Sequence, residues 1–381
     1  MMRRRSLPTV TGLILSCAAA GLLAQTAPPK APPKKNPLLK LTKPWDEPAV
    51  IEAKRSEAQQ RPLFQETEPL AFTLTAEFKK IEKDRDPEST NRYPATLTLV
   101  DARGREQTLH VRIGPRGHLR RMSRTCDFVP LRVEFAGNDL AGSVFEGQTT
   151  LKLGTHCRDA SSSSQYVLRE YSSYRLQNLV TPQSFRARLA RGTYVDAVSH
   201  KTLSTHYALW LENDEDVARR MGGRTVELKR LQFKDVDPDA LELMTLFNFM
   251  IGNTDYSLYA LHNVKVVQDP LKTLYPVPYD FDLSGLVNPP YANVDPRLGI
   301  SSVTDRLYRG PCLPADQLEK YVEQFREKRS AMLTTLDGIK EFDGSTRSTV
   351  RDYLESFFRA VAPPNGVKKS ILSSCKTAPT M

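Results

Sequence analysis

The segment from Leu241 to Ile251 is nearly all apolar, and it follows Asp237-Pro238, a capping aspartate with proline at the first helical position. A helix that is apolar on most of its faces belongs inside a domain, so the flanking segments must supply layers to cover it. Upstream, strand-like alternation runs through Phe72–Phe78, Thr96–Val100, Leu109–Ile113, Leu131–Phe135 and Thr150–Leu153. Asp101-Ala102-Arg103-Gly104 reads as a hairpin turn between two of these. From Gln165 to Leu179 the period changes, and Leu168, Tyr171, Arg175 and Leu179 share one helical face. Strands return at Phe185–Val195 and His206–Glu212, and Asp214-Glu215-Asp216 reads as the cap of a short helix ending at Met221. Downstream, short strands at Asn263–Val267 and Thr273–Pro278 precede amphipathic helices over 316–336 and 345–361. The expectation is an α+β chain, β-rich over 69–235 and mainly helical over 236–362.

The two ends read differently. Arg3, Arg4 and Arg5 precede an apolar run from Leu13 to Ala24, and residues 1–24 read as a signal peptide cut before Gln25. The run is about half of the roughly 20 residues that a membrane-spanning helix needs, so no transmembrane helix is expected in the mature chain. Ile14-Leu15-Ser16-Cys17 loosely resembles a lipoprotein box, but apolar residues continue past Cys17, which favours ordinary cleavage. Residues 25–68 open with prolines at 28, 29, 32, 33, 37, 44 and 48 among lysines, and read as an extended spacer. Residues 363–381 read as a basic tail.

Charge follows the same division. The net charge is +10, yet residues 69–362 hold 40 Lys and Arg against 38 Asp and Glu. Residues 1–68 hold 11 against 6, and the tail holds 3 against none. A nucleic-acid reader would carry its basic excess on the folded region, so that class is set aside. With Cys17 removed, Cys126, Cys157, Cys312 and Cys375 remain, an even number suited to disulfides in an exported protein. Three pairings are open, and local pairing, Cys126–Cys157 with Cys312–Cys375, is the simplest. His156-Cys157 is the one close pair that zinc could use, and adjacent residues chelate poorly.

The chemistry-bearing residues cluster after the apolar helix: Gly252-Asn253-Thr254-Asp255, then His262-Asn263, then Tyr279-Asp280-Phe281-Asp282. Phosphoryl transfer needs one carboxylate to take or orient the nucleophile's proton, and an Asn and an Asp to hold Mg²⁺ against the phosphates. Hard divalent cations choose such oxygen donors. Taken singly, Asp280-Phe281-Asp282 could be a solvated turn, Asn263 a turn residue, and His262 a structural hydrogen-bonding residue. Earlier, Arg116-Gly117 ends a strand where backbone and guanidinium could meet phosphates, although a basic turn is the plainer reading. Lys152, in a short strand, precedes Glu170 on the predicted helix; such a pair would hold a phosphate-binding lysine, with Arg132 as the rival. No Gly-x-Ser-x-Gly, His-Glu-x-x-His or P-loop motif is present.

These segments, Arg116-Gly117 included, resemble the spore-coat CotH-like family of atypical kinases, and more distantly the protein-kinase-like superfamily. The resemblance spans roughly residues 70–360. It implies a two-lobed protein-kinase-like fold with a β-rich N-terminal lobe and a mainly helical C-terminal lobe. It implies Asp255 as the catalytic carboxylate and Asn263 with Asp280 as metal ligands. Asp282 would share the metal or stand in for Asp280, and Arg116, Gly117, Lys152 and Glu170 would serve the nucleotide. The implied cofactors are ATP, or another nucleoside triphosphate, and Mg²⁺ or Mn²⁺. The implied acceptor is a protein or another envelope component. One departure stands out: seven residues separate Asp255 from Asn263, where ordinary kinases have four.

The leading expectation is therefore an exported phosphotransferase. Triphosphates are scarce outside the cytoplasm, so the alternative is a non-catalytic envelope scaffold or pseudokinase acting as an interaction module. A Mg²⁺-dependent hydrolase using Asp280 and Asp282 accounts for less of the chain.

Overall fold

The computed structural model describes residues 42–100, 104–135 and 140–380. The expected signal peptide, Cys17, the prolines at 28–37 and most of the 101–104 turn lie outside them. Strands β1 (Leu70–Ala76), β2 (Tyr93–Val100), β3 (Glu106–Pro115), β4 (Leu131–Phe135), β5 (Thr150–Gly154), β6 (Ala187–Asp196) and β7 (Thr202–Leu211) form a closed barrel in the order β1-β2-β3-β4-β5-β7-β6. Every neighbouring pair is antiparallel except β1 with β6, whose parallel register, Leu70↔Ala190 to Ala76↔Asp196, closes the ring. Helix α3 (Ser161–Val180), which follows the short α2 (Phe78–Lys83), makes the crossover between β5 and β6 and packs on β7 and β6 from outside. Alternation then sorts the side chains. Phe72, Leu97, Val111, Val133, Leu151, Ala208 and Trp210 fill the barrel, while Leu189, Leu209 and Leu211 face out against α3.

Closure corrects one expectation. The chain is α+β, but the barrel with helices packed around it is not a two-lobed kinase-like fold. The physical cause is edge satisfaction: a barrel leaves β1 no free edge, and β6 supplies the missing partner. Strand β8 (Arg224–Val226), from the first half, joins β9 (Val264–Gln268) and β10 (Leu274–Pro278) in a separate sheet of order β10-β9-β8. Between them lies α5 (Pro238–Ile251), capped by Asp237, whose Oδ1 accepts the Ala240 N–H, and buried along nearly its whole length, as its composition requires. It ends at Gly252, left-handed at φ 64°, where an added Cβ would come within 2.0 Å of the Tyr353 hydroxyl. Helices α6 (Ala315–Glu327), α7 (Arg329–Asp337) and α8 (Gly344–Ala360) complete this side. The helix expected over 316–336 is thus two helices broken at Lys328.

The two flanks are more structured than their composition suggests. Within the expected spacer, α1 (Pro48–Gln59) packs on α4 (Asp214–Arg220), and Ala58 and Leu63 are fully buried. Arg186 donates to the carbonyls of Ala58 and Gln59 at 2.8 and 3.0 Å, and Arg61 pairs with buried Asp216 at 3.2 Å. The tail buries Val367 and Ile371. Both locally paired disulfides form, Cys126–Cys157 and Cys312–Cys375, which is the chemistry of an oxidising compartment. Among the described residues no helix is long and apolar enough to cross a membrane.

Glu212, at the end of β7, ties these parts together. It is fully buried and accepts from Arg186 at 2.9 and 3.0 Å and from Arg220 at 2.8 and 2.9 Å. Glu212→Ala would leave two largely buried guanidinium groups uncompensated. It should cost about 3–5 kcal/mol in urea unfolding; a loss under about 1 kcal/mol would contradict this network.

Candidate functional site

The loop after α5 and the ends of β3 and β10 meet alongside α3. Asp255 follows Gly252 on a turn fixed by Asn253, whose Oδ1 accepts the Asp255 N–H at 3.0 Å. Its carboxylate accepts from Asn263 Nδ2 at 2.9 Å and lies 3.0 Å from His262 Nε2; Asn263 Nδ2 also donates to the Asp255 carbonyl at 2.8 Å. The hydrogen bond between His262 and the Asp255 carboxylate, before any charge effect, holds the His262 ring above its ordinary pKa. Asn263 immediately precedes β9 and Asp280 lies two residues past β10, and the Tyr279 N–H donates to the Asn263 carbonyl at 3.0 Å. Both Asn263 (φ 53°) and Asp280 (φ 64°) adopt the left-handed conformation that non-glycine residues seldom take. Such geometry persists only where the surroundings impose it, and it concentrates at functional sites. Here the Asp280 N–H is held by the hydroxyl of buried Tyr174 on α3 at 2.9 Å.

Opposite this edge, β3 delivers Arg116, whose Nη2 lies 3.7 Å from Asp280 Oδ2. Gly117 follows at φ 80°, a turn that favours glycine. The loop continues to Arg120, which is buried, donates to the carbonyls of Thr155 and His156, and lies 5.9 Å from the Tyr291 ring centre. Tyr291 donates to Asp282 at 3.2 Å. The Cys126–Cys157 disulfide and hydrogen bonds from the Asp127 and Phe128 N–H groups to the Cys157 carbonyl pin this loop to the chain after β5.

Glu170 on α3 and Asp282 face the same small cavity, which Arg120 and Tyr291 also line. Burial, and then the charges of Asp282 and Asp280, push the Glu170 carboxyl well up, against the pull of Arg120 and Arg116. Burial and the Asp280 charge, opposed by Arg120 and reinforced by Asp255, push Asp282 up to about 7. Asp255, Asp280, Asp282 and Glu170 therefore form one electrostatic group, with two arginines set among them.

Lys152 departs from expectation. It points outward from β5, in register with Leu211 of β7, and pairs with Asp214 instead of Glu170. The chain turns at Asn213 directly after β7, which brings Asp214 there, while Glu170 looks toward Arg120. Lys265 of β9 reaches the other Asp214 oxygen at 3.1 Å. Tyr279 lies beneath both ammonium groups, its ring centre 4.6 Å from Lys152 and 5.6 Å from Lys265. Burial pushes Lys152 down to about 8, against the pull of Asp214. The rival Arg132 is the register neighbour of Lys152 on β4 and is exposed.

Sequence reasoning missed Arg120, Tyr291, Lys265 and the second function of Asp214. Asp214 was legible only as part of a helix cap. Lys265 had a detectable signal, since a lysine inside an otherwise apolar strand, Val264–Val267, marks a side chain directed away from the core.

Among the described residues no group of three or more His, Cys, Asp or Glu side chains is arranged to hold a metal ion. The donor types nevertheless suit one hard cation. Asp280, Asn263 and Asp282 offer oxygens only, and Mg²⁺ is commonly held by one or two carboxylates with substrate phosphates completing the shell.

No family model matches the chain, and no curated protein does. Among solved structures, a Helicobacter pylori proinflammatory kinase, CtkA, is similar at 9% identity and a TM-score of 0.29. The match covers 76% of this chain and 92% of that one. A likeness this slight transfers no residue roles.

A pH dependence follows from Asp282. A carboxyl whose pKa is raised on folding stabilises the fold fully below its unfolded value near 4, and that stability is lost as the pH climbs through about 7. Asp282→Asn removes the penalty. At pH 8 the variant should be more stable than wild type by about 2–4 kcal/mol in denaturant unfolding, with the difference vanishing near pH 4. Equal stability at both pH values would contradict the coupling.

Proposed function

We propose that the protein is an exported, divalent-metal-dependent phosphotransferase of the CotH-like kind, moving a phosphoryl group from a nucleoside triphosphate to a protein or other envelope acceptor. The observation that carries the reading is convergence. Arg116-Gly117, Asp255, Asn263 and Asp280-Asp282, scattered over 167 residues (116 to 282), meet around one charged edge, and two non-glycine residues among them, Asn263 and Asp280, hold left-handed backbone. The proposal rests on this site and on the motifs, not on the fold. The two disulfides support export.

In this reading Asp280 and Asn263 hold Mg²⁺ or Mn²⁺, with Asp282 beside them. When bound, the cation draws charge from the phosphate oxygens. Arg116 and Lys152 face the phosphates, and backbone N–H groups at Gly117 approach them without a side chain in the way. Asp255 accepts the proton of the acceptor hydroxyl as its oxygen bonds to the γ-phosphorus. The bond to the β-bridging oxygen breaks, and the diphosphate leaves with that electron pair. Asn263 and His262 orient the Asp255 carboxylate during the transfer. Arg120, set against Glu170 and Asp282, offsets part of the negative charge that the phosphates would otherwise meet.

Asp280→Asn should abolish the metal-dependent rise in melting temperature that ATP with Mg²⁺ or Mn²⁺ produces in the wild type. Asp255→Ala should keep that rise and lose transfer by about 10²–10⁴-fold, because a general base acts in the chemical step. Absence of any nucleotide effect on the wild type with either metal would overturn the reading in favour of a non-catalytic scaffold.

A further inference from the structure

The C-terminal segment reaches the Asp255 loop through one buried arginine. Arg309 is only 6% exposed, and its Nη1 donates to the carbonyls of Thr254 at 2.7 Å and Tyr256 at 2.6 Å, the residues on either side of Asp255. Its Nη2 donates to Thr380 Oγ1 at 3.0 Å, and its guanidinium carbon lies 5.3 Å from the Tyr256 ring centre. Ser257 Oγ donates to the Thr380 carbonyl at 2.8 Å. Ser257 also exchanges two backbone hydrogen bonds with His262, each 3.0 Å, which close the loop that presents Asp255. The segment leading to Thr380 is fixed in turn. The Lys376 N–H donates to the Gly310 carbonyl at 2.9 Å, the Cys312 N–H donates to the Lys376 carbonyl at 3.1 Å, and Cys312 is bonded to Cys375.

We propose that Arg309 is a positioning residue for Asp255, and that the Cys312–Cys375 disulfide keeps it in place by holding residues 375–380 against it. The proposal rests on reading Asp255 as the proton-accepting carboxylate. One guanidinium nitrogen bonds the carbonyls on both sides of Asp255, so the backbone carrying that carboxylate is fixed at two points. The second nitrogen is held by the disulfide-anchored segment, so the fork cannot rotate away without breaking both sets of bonds. Lysine offers a point charge rather than a planar fork and cannot bridge the loop and Thr380 in the same way. Displacement of the loop by about 1 Å would separate Asp255 from an acceptor hydroxyl and cost about 10²-fold in rate, with little effect on nucleotide held elsewhere.

Hydrogen exchange on the full chain tests this directly, comparing wild type with Arg309→Lys, Arg309→Gln and Cys312→Ser/Cys375→Ser. Cys126→Ser/Cys157→Ser serves as the control for losing a disulfide elsewhere. Amides of residues 254–263 should exchange at least roughly tenfold faster in Arg309→Gln and in the Cys312/Cys375 variant, and by a smaller factor in Arg309→Lys. Amides of β1–β3 should be unchanged in all of these, and the control should leave 254–263 protected. Turnover should fall in the same order, while nucleotide affinity stays within about threefold. Unchanged exchange at 254–263, or equal loss of protection across the barrel, would overturn the proposal. If Arg309→Gln does not fold, the Cys312/Cys375 variant decides alone. Lack of phosphoryl transfer by the wild type would sink the enzymatic reading, and the exchange data would still decide whether the clamp exists.

Discussion

The structure depends on holding four carboxylates, Asp255, Asp280, Asp282 and Glu170, near one another at a partly desolvated edge. Like charges so placed repel, and burial sharpens the repulsion. The molecule answers in three ways. Arg116 and Arg120 come in from the loop after β3, two of the four carboxyls are pushed toward their neutral forms, and Tyr291 donates to Asp282. A purely structural edge would gain more from apolar residues of similar volume. Keeping the carboxylates is costly, and the cost is intelligible if a cationic ligand completes the group.

The barrel makes that edge possible. Helix α3 lies against β6 and β7, and its far face carries Glu170 toward the cavity and Tyr174 to the Asp280 backbone. The loop after β3 is stapled by Cys126–Cys157 and by Arg120 at the end of β5, so Arg116 emerges from a fixed base. On the other side, α5 supplies the rigid floor from which the Asp255 loop springs at Gly252. Lys152, Asp214 and Lys265 extend the edge over Tyr279, joining barrel to small sheet. Each charged group therefore stands on a different element, and only the packed fold unites them.

Much of the local structure was legible in the sequence because local physics determines it. Leu131–Phe135 alternates strictly and forms a strand over those residues. The Asp237-Pro238 cap and the apolar run after it gave α5, and local cysteine pairing gave both disulfides. Closure of the barrel was not legible, because the β1–β6 pairing joins strands more than 110 residues apart and leaves no periodic trace. The Lys152 partner was missed for the same reason: the β5–β7 register, not the helix spacing, decides that Asp214 and not Glu170 meets it. The structure of residues 48–64 was hidden by the proline-rich stretch that leads into it, and the buried contacts of Arg61 and Leu63 are made with distant partners. Asp255, Asn263 and Asp280 lie close in sequence on one loop and one hairpin, so their proximity was legible, whereas Arg120 and Tyr291 reach the same cavity from distant segments and were not.

The central claim is that Asp280 and Asn263 hold a divalent cation against a nucleotide's phosphates. Crystals of the full chain grown with Mn²⁺ and a non-hydrolysable triphosphate, measured at the manganese absorption edge, test it most directly. The account predicts an anomalous peak between the Asp280 carboxylate and the Asn263 carboxamide oxygen, with triphosphate density extending toward Arg116. An ordered nucleotide bound elsewhere, or a manganese peak away from both residues, would contradict it.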